Sequence, residues 1–124
     1  MNNGITNQHA IDELLAFAAK AVSERYYKLV YVDKMGWIFE YNDGTRSKWF
    51  DPSVSDSDCM LLEAVLQINV NWDFVKSKVE CSARYYNDIF KHSFKYNVLE
   101  VDTKLQARRL CSLMVAADIG RRVP

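Results

Sequence analysis

The run Trp49-Phe50-Asp51-Pro52-Ser53-Val54-Ser55-Asp56-Ser57-Asp58, continuing into Cys59-Met60-Leu61-Leu62-Glu63-Ala64-Val65-Leu66, decides how this chain is to be read. It passes from an aromatic hairpin end, through a Pro-containing turn, into a helix start. Ser55 stands where an N-cap hydroxyl accepts a backbone N–H of the first turn, and Asp58, three residues on, is placed to reach back in a capping box. Asp56 and Asp58 also complement the positive end of the helix dipole. Two carboxylates and two hydroxyls crowded into Ser55 to Asp58 beside aromatic residues also make a candidate partner surface, comprising Trp49, Phe50, Asp51, Asp56 and Asp58. Capping accounts for the same acidic residues, and it is the commoner use of this pattern.

Upstream of that run, Ile11, Leu14, Leu15, Ala18 and Val22 recur at the spacing of one buried helical stripe, which predicts a helix from a cap at Thr6 or Asn7 to about Glu24. The period then changes. Leu29 to Val32 and Trp37 to Tyr41 are β-branched or aromatic runs split by Asp33-Lys34-Met35-Gly36, with the glycine placed where a turn needs positive φ. A hairpin is predicted, followed by a second turn at Asn42-Asp43-Gly44 and a short third strand, or an aromatic approach to Pro52, at Lys48-Trp49-Phe50.

Downstream, Val70 to Val79 and Glu80 to Arg84 read as strands with a turn or bulge near Lys76 to Lys78. Tyr85 to Ser93 carries a turn signal at Asn87-Asp88, yet Ile89 and Phe90 require burial. Phe94 to Val101 alternates like a strand. Thr103 with Gln106 predicts a second capping box, and the last helix is expected to run to about Ile119, with Gly120 as its C-cap and Arg121 and Arg122 beside its negative end. Ala107, Leu110, Leu113 or Met114, and Ala117 form its inward stripe. Helices and strands do not alternate strictly, so the fold class is α+β: a single domain over 1–124, an α/β/α sandwich with a mainly antiparallel sheet and three helices.

With 124 residues the chain suits one domain and one core. Sixteen basic and sixteen acidic residues cancel, so no global field draws the protein to nucleic acid or to an anionic membrane. No apolar run approaches the ~18 residues of a membrane-spanning helix, and the start lacks signal-peptide character. A cytoplasmic protein is expected. Cys59, Cys81 and Cys111 are odd in number and set among apolar or small neighbours, which reads as buried reduced thiols. His9 and His92 lie far apart, and neither has metal-ligand spacing to a cysteine. Neither metal nor cofactor is expected.

Three blocks together carry a resemblance. They are Glu13-Leu14-Leu15-Ala16-Phe17-Ala18-Ala19-Lys20-Ala21; Phe50-Asp51-Pro52 leading to Asp56-Ser57-Asp58-Cys59; and Gln106-Ala107-Arg108-Arg109-Leu110 with Ala116-Ala117-Asp118-Ile119-Gly120-Arg121-Arg122-Val123-Pro124. In this order and spacing the chain resembles small bacteriophage and prophage proteins of enteric bacteria with a phage ABA (α/β/α) sandwich domain. The resemblance implies a three-layer α/β fold, phage origin and life inside the infected bacterium. It implies no assigned activity and brings no catalytic residues.

The residues themselves contain no Gly-rich phosphate loop, G-x-S-x-G, H-E-x-x-H or C-x-x-C pattern. A non-enzymatic accessory protein is therefore expected, one that binds a host or phage protein through the aromatic hairpin end and the Asp51 to Asp58 loop. The alternative is a trap for a small anionic, nucleotide-like metabolite, built from Arg84, Tyr85, Tyr86 and Arg108, since aromatic faces beside cations suit stacked bases. Tyr85 and Tyr86 are adjacent, so one regular strand cannot bury both. A homo-oligomer stays open.

Overall fold

A computed structural model describes residues 8–124 and places three helices and six strands in the order α1 (Gln8–Arg25), β1 (Lys28–Val32), β2 (Gly36–Glu40), β3 (Arg46–Phe50), α2 (Asp56–Leu66), β4 (Asn69–Asp73), β5 (Lys78–Tyr85), β6 (Asp88–Lys95) and α3 (Val101–Arg122). The Thr6 or Asn7 cap of α1 lies outside the described residues. The α+β class, the three helices and the antiparallel pairing follow the sequence pattern. The strands divide between two meanders, β1-β2-β3 and β4-β5-β6, where the pattern had suggested one sheet. α2 separates the two meanders in sequence.

α1 buries Leu14, Leu15, Ala18, Ala19, Ala21 and Val22, and its end hands the chain to the first sheet. There the Leu29 backbone N–H donates to Ser23 Oγ (2.9 Å), setting β1 beneath the helix. The β1–β2 register pairs Leu29 with Phe39 and Tyr31 with Trp37, so these side chains share one face. Leu29, Phe39 and Phe50 enter the core from that face, with the Phe39 and Phe50 rings 5.3 Å apart.

The second sheet alternates as a half-buried sheet should. Val79, Cys81, Ala83 and Tyr85 of its central strand are buried. α3 lies on β5 and β6 and also packs against α1 and α2. Ten of its 22 residues are buried, including the consecutive run Cys111, Ser112 and Leu113, so it is enclosed on more than one side. A single amphipathic stripe underestimates it.

Several local expectations are corrected. The break between β4 and β5 falls earlier, at 74–77, and Phe74 projects from that turn with Val75 instead of lying on a strand face. The Asp73 carboxylate accepts the Lys76 N–H (3.0 Å) and Ser77 takes φ 51°, so a polar anchor and one left-handed residue close the turn. The strand expected over Phe94 to Val101 ends at Lys95. Val98, Leu99 and Val101 are exposed, and Glu100 becomes the N-cap position of α3 without a side-chain cap bond. Thr103 does not form a capping box with Gln106; its hydroxyl donates to the Glu100 carbonyl (2.8 Å) and accepts the Asn97 N–H (3.2 Å). Lys104, one residue on, sets its ammonium over the rings of Trp72, Phe74 and Tyr96 at 5.0, 5.4 and 5.4 Å, tying the start of α3 to the second sheet.

Gly120 is not a C-cap. The helix continues through it to Arg122, and the glycine is buried at the crossing with α1, where a Cβ would stand 1.8 Å from the Phe17 carbonyl oxygen. Glycine is needed there for close approach. Gly120→Ala is expected to destabilise the protein by ~2 kcal/mol or more, lowering the melting temperature by roughly 5–10 °C in a circular-dichroism melt. A melt equal to wild type would mean that the two helices do not cross at this contact.

Candidate functional site

α1 and the first sheet leave between them a groove of about 300 Å³, lined by Asp12, Leu15 and Ala16 of the helix and by Tyr31, Gly36, Trp37, Trp49, Phe50 and Asp51 of the sheet and its exit. Its making follows from the local sequence. Ala16 keeps the helix side shallow, while Tyr31 and Trp37, paired across β1 and β2 with ring centroids 5.4 Å apart, supply an aromatic wall. Phe50 pairs with Trp37 in register and forms the buried floor. Tyr31 is 61% exposed on this wall, whereas Trp49, paired with Ile38, alternates to the other side of the strand from Phe50 and borders the groove beside Gly36, 55% exposed. Among the described residues, the formally charged side chains lining the groove are the carboxylates of Asp12 and Asp51.

Three of the five residues read as a partner surface therefore line one groove: Trp49, Phe50 and Asp51. The other two hold its rim. Asp58 is buried, and its Oδ2 accepts the Asp51 backbone N–H (2.9 Å), seven residues back, where the capping-box reading had it returning to Ser55. The Ser55 hydroxyl does accept the Asp58 N–H (3.2 Å), as expected of an N-cap. Asp56 pairs with Arg109 of α3 (2.7 Å), and the Arg109 Nε–H donates to the Ser53 carbonyl (3.1 Å). The loop is thus clamped from both sides, and Asp56 and Asp58 are committed to holding it, while Asp51 accepts from Ser53 within the loop.

The four residues read as a ligand trap are dispersed. Tyr85 is buried, its hydroxyl donating to the Glu24 carboxylate at 3.0 to 3.1 Å. Tyr86 is 76% exposed at the β5–β6 turn with φ 54°, so the adjacent pair splits as the sequence requires. Both line a second concavity with Glu24, Asp88, Arg122 and Pro124, in which Arg122 is paired with Asp88 (3.0 Å). Arg84 is exposed on β5 and has no ion pair among the described residues. Arg108 lies fourteen residues before Arg122, about 21 Å along the helix at 1.5 Å per residue, and so stands at the far end of α3 from the tyrosines.

Arg108 belongs instead to a polar cluster in the core that the sequence reading missed. Its guanidinium forks onto Glu63 of α2, Nη2 to Oε1 and Nε to Oε2 (3.0 Å for the latter). Ser112 donates to the same Oε2 (2.7 Å), Cys59 donates to it through sulfur (3.4 Å), and Cys81 lies 3.5 Å from the Ser112 hydroxyl. The signal was present as two i, i+4 pairs, Cys59 with Glu63 and Arg108 with Ser112, on faces that were otherwise apolar. Ser112, Cys59 and Cys81 are fully enclosed, so the cluster has the groups of a nucleophilic site without an approach for substrate. Burial first, and the neighbouring Glu63 carboxylate second, push the Cys59 thiol up to about 12.

His92 Nε2 meets Asp118 Oδ2 at 2.5 Å across β6 and α3. No group of three His, Cys, Asp or Glu side chains among the described residues converges as metal ligands. No helix among them is long and apolar enough to cross a membrane. Compared with protein-family models, with curated proteins and with solved structures, the chain matches none.

Two outcomes check the core cluster. Arg108→Met leaves Glu63 buried without its forked partner and should cost ~3 kcal/mol in urea unfolding, while adding Glu63→Gln should recover part of the loss. Equal midpoints for Arg108→Met and wild type would contradict the pair. The raised Cys59 pKa has a definite sign. The folded state holds the proton more tightly than the unfolded one, so this contribution to stability is complete below the ordinary value of 9.0 and is lost as pH rises towards about 12. Across that window Cys59→Ala should show a shallower decline of unfolding free energy than wild type, measured by denaturant titration at stepped pH.

Proposed function

We propose that this is a non-enzymatic accessory protein of bacteriophage or prophage origin that acts in the cytoplasm of an infected bacterium by binding a host or phage protein. The occupied surface is the groove between α1 and the first sheet. One observation carries this reading: Tyr31 is open on a groove with a buried aromatic floor, and Trp49 is open at its edge. Large aromatic side chains at a concave surface are the commonest anchors of protein association, and exposing them to water is unfavourable unless something covers them. The enclosure of Ser112 and of the three thiols supports a binding role over catalysis, because no substrate reaches them. The phage assignment rests on the three sequence blocks described above.

The metabolite-trap alternative has weaker support. Its concavity presents Glu24 and Asp88 beside Tyr85 and Tyr86, and Arg122 is already paired there. An anionic ligand would meet two carboxylates before an available cation.

Native mass spectrometry of the tagged protein, isolated gently from bacteria that carry its gene, separates the two. A stoichiometric polypeptide is expected on the wild-type protein, with affinity on the order of thirtyfold weaker for Trp49→Ala, as loss of a ~2 kcal/mol anchor implies. Wild-type stability of that variant, read by thermal melt, excludes unfolding as the cause. An added mass of a few hundred daltons, lost in Tyr86→Ala and kept in Trp49→Ala, would replace this reading with the alternative.

A further inference from the structure

The partner's chemistry can be taken one step further, on the premise that the groove is the binding surface. Among the described residues, its lining is aromatic and aliphatic apart from two charged groups, both acidic: Asp12 on α1 and Asp51 at the exit of β3. Each carboxylate is only partly engaged. Asp12 Oδ1 accepts from the Gln8 amide (2.8 Å), and Asp51 Oδ1 accepts from the Ser53 N–H (3.0 Å) and hydroxyl (2.5 Å). The Oδ2 atom of each has no partner among the described residues.

The cations that neutralise acidic groups elsewhere in the molecule are committed to other places. Arg109 serves Asp56, Arg108 serves Glu63, Arg122 serves Asp88, and Arg46 and Lys28 serve Glu40. In a chain whose formal charges cancel, the described side chains lining this groove carry negative charge alone.

We infer that the segment filling this groove carries a cationic side chain, arginine in preference to lysine, between apolar residues. The apolar flanks cover Leu15, Trp37 and Phe50. The guanidinium plane lies against the open faces of Trp49 or Tyr31 and turns its N–H groups towards the two free carboxylate oxygens. Arginine suits both surfaces at once, because its planar head stacks on aromatic rings and forks onto carboxylates, whereas an ammonium is a compact, strongly hydrated charge. An acidic segment would meet two uncompensated carboxylates beside a low-dielectric wall and is excluded by them.

The test is selection from a yeast-displayed library of random dodecapeptides against the whole protein, with counter-selection against Trp49→Ala so that survivors depend on the groove. The expected consensus holds a cation between apolar residues, arginine more often than lysine. A synthetic consensus peptide should bind about tenfold more weakly to the Asp12→Asn, Asp51→Asn double variant, and more weakly to wild type as ionic strength rises. Asparagine at 51 keeps the carbonyl oxygen that accepts from Ser53, so that variant should melt with wild type. Groove-dependent survivors without a cation, or a peptide indifferent to the double variant, would overturn this inference and leave the groove as a binding surface. A library yielding no groove-dependent survivor would overturn both.

Discussion

The structure depends on enclosing α3. A helix buried on several sides must meet its neighbours at short range, and the residues at its crossings are small: Ala107, Ala116, Ala117 and Gly120 on α3 itself, Ala18 and Ala21 on α1, and Cys81 and Ala83 on β5. Close approach increases the number of dispersion contacts per residue and excludes water from the seam, which is how short apolar side chains can contribute as much as longer ones across a looser gap. Gly120 is the tightest point, with the Phe17 carbonyl where its side chain would be. The α1 wall of the groove depends on that contact. It sets the distance of α1 from α3, and α1 is the helix under which the first sheet is placed.

The polar cluster between α2 and α3 acts on orientation. Removing Glu63 and Arg108 from water carries a desolvation cost that the attraction between them only partly offsets, so the pair is a weak source of stability by itself. Its effect is on the alternatives. Rotating α2 by half a turn would carry Glu63 to the partly exposed positions of Leu61 and Val65, leaving Arg108 and Ser112 facing apolar side chains without their acceptor, which is less favourable. One setting of α2 therefore satisfies Glu63. The same setting delivers the Asp51 to Asp58 loop to Arg109, the next residue along α3, which is why the rim of the groove and the core cluster are parts of one arrangement.

What was legible in the sequence was local. α1, the first hairpin with its Gly36 turn, and the Ser55 cap rest on interactions within a few residues, and periodicity or turn chemistry reports those directly. Of the candidate site, the hairpin end was legible because Trp49-Phe50-Asp51 stands out as aromatic residues next to a turn. The α1 wall of the groove was not, because Asp12 and Ala16 look like any solvent-facing helix positions until the sheet is placed beside them. Reach across the chain explains the other failures. Asp58 satisfies a donor seven residues away, Thr103 serves the loop before it and not a capping box, and Gly120 answers to a backbone 103 residues earlier. Alternation in Phe94 to Val101 suggested a strand, but β6 had spent its partner edge on β5 by Lys95, and among the described residues no further strand pairs with it there.

Recognition by such a molecule has to be local. With sixteen charges of each sign, and most of the arginines near the candidate surfaces tied to carboxylates, the protein generates little long-range field to accelerate encounter. Association would proceed at the unsteered rates typical of neutral pairs, and affinity would come from slow release. Slow release requires water-excluding contact at a few large side chains. Among the described surfaces, the groove under α1 joins open aromatic faces to a rigid aromatic floor, and its rim is held by hydrogen bonds to Asp58 and Arg109. A partner meeting a rim already fixed loses less conformational freedom of the receptor on binding than one meeting a free loop. The physical case for this groove is that preorganisation: the bonds that make Asp56 and Asp58 poor candidates for contacting a partner are the ones that hold Trp49, Phe50 and Asp51 ready for it.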